Sequence, residues 1–297
     1  MAAQAGAIRK KAKGWRSLVS FRSFRHLSQI FFVAFIAYTL VRHLVVGESG
    51  DTVTASAEAF CPMGGFETLY KYITSGGSFV AHTHLSNLVL FLATMASVVL
   101  FRSAFCGWIC PFGALQEGIM ALSKRLQKRF PALKKGVKAL QEKSAPLARL
   151  DRYARYFKYV VLAWIIWGTI TYGVMVFRDV DPYAALLGLA ELSIGLGTVV
   201  LALVFVASFF VERPFCRYAC PLGAINGIVS QVSPVRLERD DLLCKGCAIC
   251  DKACPVGLPV ATSVKITSPE CIGCLECVDV CPRSGALEVK VGLPFGR

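Results

Sequence analysis

The chain has 297 residues, of which 55% are apolar, a formal net charge of +14 and a mean hydropathy of +0.55. So basic a chain could bind nucleic acid, but its apolar runs are too long for a soluble domain of this size and exclude that class. Thirteen cysteines in short-spaced groups point to metal rather than to secreted disulfides.

In chain order, residues 1–29 carry Arg9, Lys10, Lys11, Lys13, Arg16, Arg22 and Arg25. They read as a topogenic flank, compatible with contact to anionic lipid. No clear small-residue cleavage site follows, so no cleavable leader is expected. A first apolar run covers Ile30–Val46, near the short limit for a spanning helix. Arg42, placed to snorkel, and His43 stand near its far end. A polar loop over 47–84 holds Glu48, Asp51, Glu58 and Glu67 with a single lysine. A second run, Leu85–Phe101, leads into a basic stretch, 102–158, with thirteen Lys and Arg. Within it, 121–158 interleaves Leu, Phe, Ala and Val with the cations and predicts an amphipathic helix on a membrane surface. Runs at Tyr159–Phe177 and Leu192–Val211 flank a short loop, Arg178–Glu191. Asp181-Pro182 in that loop suits a helix start, with Asp181 as cap.

By the distribution of Lys and Arg, both termini and the 102–158 loop are expected on the cytoplasmic side. The expected fold is a membrane all-α domain over 30–235, with four transmembrane helices arranged as two repeated two-helix units. A small cytoplasmic α+β domain over 236–297 follows it. The repeat shows in RSAFCGWICPFGALQEGI after the second run and ERPFCRYACPLGAINGIV after the fourth. They share FC-x3-CP-x-GA, offset by 110 residues. Cys106, Cys110, Cys216 and Cys220 thus occupy equivalent places, and two C-x3-C pairs supply four thiolates to one further iron–sulfur cluster. Two thiol pairs without metal are the plainer alternative.

The last quarter holds the most specific pattern. Cys244, Cys247, Cys250 and Cys254 precede Pro255, and Cys271, Cys274, Cys277 and Cys281 precede Pro282. Both groups read C-x2-C-x2-C-x3-C-P, the run in which three cysteines ligate one [4Fe-4S] cube and the fourth ligates its neighbour. One cluster is therefore assigned to Cys244, Cys247, Cys250 and Cys281, the other to Cys271, Cys274, Cys277 and Cys254. Zinc sites usually pair C-x2-C motifs, often with His, and this segment has no His. Disulfides do not suit a reducing compartment.

Cys61, in FCPMGGFETLY, is a lone thiol that either stays unliganded or lines a site with a partner. His82 and His84, in AHTHLSN, precede the second run. Together with His43 they make bis-His haem imaginable, but no deeper His exists in the runs and haem is not expected. A quinone headgroup pocket suits them better, with His84 as proton donor or acceptor and Glu67, Glu58 or Asp181 as relays, because imidazole titrates near neutral pH. Interfacial anchoring or helix capping by these residues stays open.

FCGWICPFGALQE, FCRYACPLGA and the doubled cysteine tail resemble the NapH-type membrane ferredoxins, and also the membrane half of the NosR and CcoG-like iron–sulfur proteins. The resemblance covers most of the chain from about residue 30. It implies a quinol dehydrogenase subunit in a bacterial-type inner membrane, passing electrons between the quinone pool and other redox subunits. A membrane redox sensor or metal-cofactor assembly factor without quinone turnover is the alternative. Dispersed Met and His do not favour it.

Overall fold

In a computed structural model the structure describes residues 20–46, 62–74, 85–132, 134–137, 151, 153–172, 176–177, 179–188 and 195–292. The chain divides into two compact units, the first built from 1–32, 95–110 and 225–297, the second from 33–94 and 111–224.

Helices α1 (Phe21–Val46), α2 (Pro62–Thr74) and α3 (Leu85–Phe101) open the described chain. Then come α4 (Ala104–Trp108), α5 (Pro111–Arg129), α6 (Phe157–Tyr172), α7 (Pro182–Gly188), α8 (Leu196–Ser208), α9 (Pro214–Tyr218) and α10 (Pro221–Val229). The tail folds as β1 (Val235–Arg239), α11 (Ile249–Ala253), β2 (Lys265–Ile266), α12 (Glu276–Asp279) and β3 (Leu287–Val291).

The expected four spanning helices are not found among the described residues. Among the described residues only Phe21–Arg42 is both long and apolar enough to cross a membrane; Asn87–Phe101, Phe157–Tyr172 and Leu196–Ser208 are apolar but shorter. The physical reason is that hydropathy counts residues, not helix length. At 1.5 Å per residue the 13 residues of α8 extend roughly 20 Å, against a hydrocarbon core of about 30 Å. The apolar runs continue through turns at Val176-Phe177 and Phe209-Phe210. The side assignment of the termini, which rested on four spans, loses its basis. The long apolar helix also begins at Phe21, ahead of the expected Ile30, and Arg22 and Arg25 lie inside it. Likewise, 121–158 is not one amphipathic helix: α5 starts at Pro111 and stops at Arg129, with Pro131 just beyond.

In the first unit the tail is an antiparallel sheet in the order β2-β1-β3, with Leu237 opposite both Ile266 and Val289. Leu237, Val256, Leu258, Val260, Ile266 and Leu287 form its core together with Cys271, Cys274 and Cys277. Arg102, in the left-handed region at φ 60°, ties the end of α3 to this domain. Its guanidinium donates to the Ile266 carbonyl at 2.6 Å and to the Ser268 carbonyl at 3.1 Å.

In the second unit α2 lies close on α3, since a side chain at Gly65 would stand 2.4 Å from the Asn87 carbonyl. Phe112 of α5 meets the Phe215 ring edge-on at 5.4 Å. Arg213, also left-handed at φ 52° and wholly buried, pairs with Glu117 at 2.8 Å. Asp181 accepts the Tyr183 N–H at 3.0 Å, the cap the sequence suggests for α7.

Candidate iron-sulfur site

Each cysteine group of the tail lies on a loop that curls before a short helix. Gly246 and Ala248 in the first loop, and Gly273 and Leu275 in the second, are left-handed. These are the second and fourth residues after Cys244 and Cys271. Such alternation turns backbone N–H groups inward and receives anions. At Ala248 and Leu275 it is held against a cost of roughly 1–2 kcal/mol per non-glycine residue, as occurs where a ligand needs the geometry.

The fourth cysteine of each group crosses to the other loop. Cys244, Cys247, Cys250 and Cys281 line one small cavity, with Lys245, Arg239 and Arg283 on its walls. Cys254, Cys271, Cys274 and Cys277 line another, walled by Leu237, Val260 and Ile266. The first set reaches solvent at Cys247, whereas Cys271, Cys274 and Cys277 are buried. Burial pushes the Cys274 thiol up to about 12 and raises Cys277 and Cys254 as well. Thiols so enclosed stay neutral until a cation replaces their protons. Among the described residues no three Cys, His, Asp or Glu side chains converge as they would on a single ion. A cube, which spreads its four thiolates over separate corners, fits these two sets better than zinc does.

The first C-x3-C motif packs directly on the second loop. Cys106 lies against the core containing Cys271 and Cys274. Trp108 Nε1 donates to the Gly273 carbonyl at 3.0 Å, and a Cβ on Gly107 would sit 2.5 Å from the Ile272 carbonyl. From α1, Arg25 Nε donates to the Gly107 carbonyl at 2.9 Å while its Nη1 pairs with Glu276 at 2.9 Å. Gln29 adds a bond to the Gly107 carbonyl at 3.1 Å. Sequence reading placed Arg25 in a topogenic flank; it is 2% exposed and holds two loops together. No local signal marks it, because its partners are 82 and 251 residues away.

The second C-x3-C motif is gripped differently. Arg217 and Tyr218, between its cysteines, both bond Asp151 at 2.5 Å, and Arg155 joins at 2.8 Å. Burial pushes the Asp151 carboxyl up, but the Tyr218 hydroxyl, Arg155 and Arg217 together hold it below the usual carboxylate range. Pro111 and Pro221 open α5 and α10 at their first positions, which suits proline. Cys110 and Cys220 therefore immediately precede helix N-termini, where thiolate is favoured, and the Gly223 N–H donates to Cys220 Sγ at 3.3 Å.

The sequence reading missed Gln116 and Asn226. Gln116 Nε2 donates to Cys216 Sγ at 3.5 Å, and Asn226 Nδ2 to Cys106 Sγ at 3.2 Å. The repeat alignment could have found them, since they occupy equivalent positions. Of the proposed quinone residues, Glu58, His82 and His84 lie outside the described residues, as does Cys61; Glu67 is on α2 and His43 on α1, their side chains likewise outside. In the second unit a cavity of about 640 Å³ is walled by apolar side chains, among them Trp164, Phe177, Leu203, Pro214, Phe215 and Ala219.

Comparison with known proteins agrees with this chemistry. A family model described as a 4Fe-4S binding domain matches twice, at residues 83–129 and 194–239, once on each half of the repeat. A 4Fe-4S dicluster domain matches 236–282. The chain is an iron–sulfur electron-transfer protein. It belongs to the NapH-type 4Fe-4S ferredoxin-like family. YccM of Escherichia coli is 27% identical over 292 residues, 94% of this chain and 78% of that protein. An uncharacterized protein of Methanocaldococcus jannaschii is 32% identical over 203 residues, 68% of this chain and 70% of its own. The ferredoxin-type protein NapH of Escherichia coli is 27% identical over 217 residues, 68% of each chain. No solved structure matches.

Proposed function

We propose that this chain is the membrane-associated subunit of a redox complex, passing electrons between quinone and partner subunits. The observation that carries the reading is the packing of Cys106, Gly107 and Trp108 on the loop of Cys271 and Cys274. It brings a C-x3-C motif into contact with a ferredoxin loop, as a relay requires. In this reading Cys244, Cys247, Cys250 and Cys281 hold one [4Fe-4S] cluster, and Cys271, Cys274, Cys277 and Cys254 a second. Cys106, Cys110, Cys216 and Cys220 hold a third. The support for the third is the twofold family match and the repeat itself. Bound clusters supply one-electron steps at potentials set by burial, charge and hydrogen bonds to sulfur. The chain's own part is to exclude water with Leu237, Val260 and Ile266, to fix the loops through Arg25 and Arg102, and to leave Cys247 open toward a partner.

Membrane association is supported by α1, whose Phe24, Leu27, Ile30 and Phe31 are all more than half exposed. The apolar cavity beside Phe215 suits the tail of a quinone. The proton-exchanging groups we propose from the sequence are His84 and Glu67. Iron and acid-labile sulfide per chain, measured on anaerobically purified protein with EPR of the reduced sample, tests the cofactor content. Three cubes give about twelve iron, and about eight would remove the third cluster. Quinol-dependent electron flow is expected to be lost in Cys106→Ser and Cys216→Ser, and normal flow in either would sink the relay.

A further inference from the structure

Gln116 and Asn226 each stand ten residues after the first cysteine of their own motif, Cys106 and Cys216. Each donates to the first cysteine of the other motif, Gln116 to Cys216 and Asn226 to Cys106. Both side chains are buried, at 0% and 1% exposure. The orientation of Gln116 follows from its other end, where Oε1 accepts the Phe215 N–H at 3.3 Å and leaves Nε2 toward sulfur. Nε2 also reaches the Phe112 carbonyl of its own helix at 3.4 Å. Asn226 Oδ1 meets no donor among the described residues, so Cys106 Sγ is the acceptor against which that side chain's burial is balanced.

Enclosing an amide costs free energy unless its partner is a good acceptor. A neutral thiol is a weak one. A thiolate carrying iron is anionic, and hydrogen bonds to charged groups are about twice as strong as neutral ones. Two amides at equivalent repeat positions, each enclosed and each aimed at the first cysteine of a motif, fit an anionic sulfur at each of the two motifs.

We infer that Gln116 and Asn226 are the donors that raise the reduction potential of the cluster held by Cys106, Cys110, Cys216 and Cys220. This rests on the cluster assignment proposed above. Gaining an electron increases the negative charge on the sulfurs, so an N–H aimed at them stabilises the reduced form more than the oxidised one. The two residues tune and position; they ligate nothing.

The test is an EPR-monitored redox titration of the full chain as wild type, Gln116→Leu, Asn226→Leu and the double variant, with iron counted in each. Each single change is expected to weaken reduction of one couple by about tenfold, ~59 mV for one electron, with the double change about twice that. The other couples stay in place. Should a leucine variant lose iron, the shape-conserving Gln116→Glu and Asn226→Asp carry the test. Their potential falls when the carboxylate is ionised and returns toward wild type as acid restores an O–H donor. Full iron content with every potential unmoved, in the leucine or the acidic variants, would overturn the donor role alone. About eight iron in the wild type would overturn the cluster and the donor role together.

Discussion

Asp181 caps α7 from a position that is only 6% exposed. Burial pushes its carboxyl up to about 6, although the Tyr183 and Ala184 N–H groups pull the other way. The sign is the reverse of the usual carboxylate. Below pH ~4 the group is protonated folded or unfolded and has no effect. Between pH ~4 and about 6 the unfolded chain ionises first, and stability falls; above about 6 the loss is complete. Asp181→Asn keeps the cap acceptor without the charge. It should flatten that pH dependence and gain on the order of 2–3 kcal/mol at pH 7–8, read from denaturant unfolding in detergent across pH. Unchanged pH dependence would show that Asp181 is not enclosed as described.

At the scale of elements, small residues decide how closely segments approach. Gly65 leaves the room through which α2 meets α3: a Cβ there would stand 2.3 Å from Phe91 Cβ and 2.4 Å from the Asn87 carbonyl. Neither a backbone oxygen nor a Cβ can swing aside, so Gly65→Ala should cost about 1–3 kcal/mol, seen as a lower Tm. Gly118 faces open space, and Gly118→Ala should not destabilise α5 and serves as the control. Gly107 works the same way between the first C-x3-C motif and the second ferredoxin loop. In the relay proposed above, Gly107→Ala should push Trp108 away from Gly273 and slow electron transfer between the two, while iron content stays at the wild-type value. A wild-type rate would mean that this contact does not set the electron path. The equivalent positions in the second motif are Arg217 and Tyr218, which need that space for their grip on Asp151.

At the scale of the whole molecule, the first unit is assembled from three separated stretches, and Arg25 of the first stretch touches both others. Removing it leaves Glu276, which is 7% exposed, with the solvent-exposed Arg22 at 3.7 Å in place of its buried partner. Arg25→Met should therefore cost about 3–5 kcal/mol, and adding Glu276→Leu should recover much of that loss. Equilibrium unfolding of the single and double variants checks this. Equal losses in both would place the effect of Arg25 in its bonds to Gly107 rather than in the ion pair. Arg25 lies on the helix with the exposed apolar surface, so the same element carries that surface and joins the first C-x3-C motif to the second ferredoxin loop.

What the sequence determined by itself is the chemistry that depends on near neighbours. The two C-x2-C-x2-C-x3-C-P runs place cysteines on tight loops, the FC-x3-CP-x-GA repeat marks two equivalent halves, and Asp181-Pro182 marks a helix start. Each works within a few residues, where spacing alone fixes geometry. The tertiary structure decided what spacing cannot reach. An apolar run shows composition, but where it stops being helix depends on turns such as those after Ser208, so among the described residues the four expected spans are one long helix and three shorter apolar ones. Arg25 looked like one more basic residue until the fold brought Glu276 to it. Gln116 and Asn226 looked like ordinary amides on helices, since the sulfurs they reach lie 100 and 120 residues away. Contacts at that separation are selected by the packing of the whole chain, and the one local trace of them is that both amides stand at the same place in the repeat.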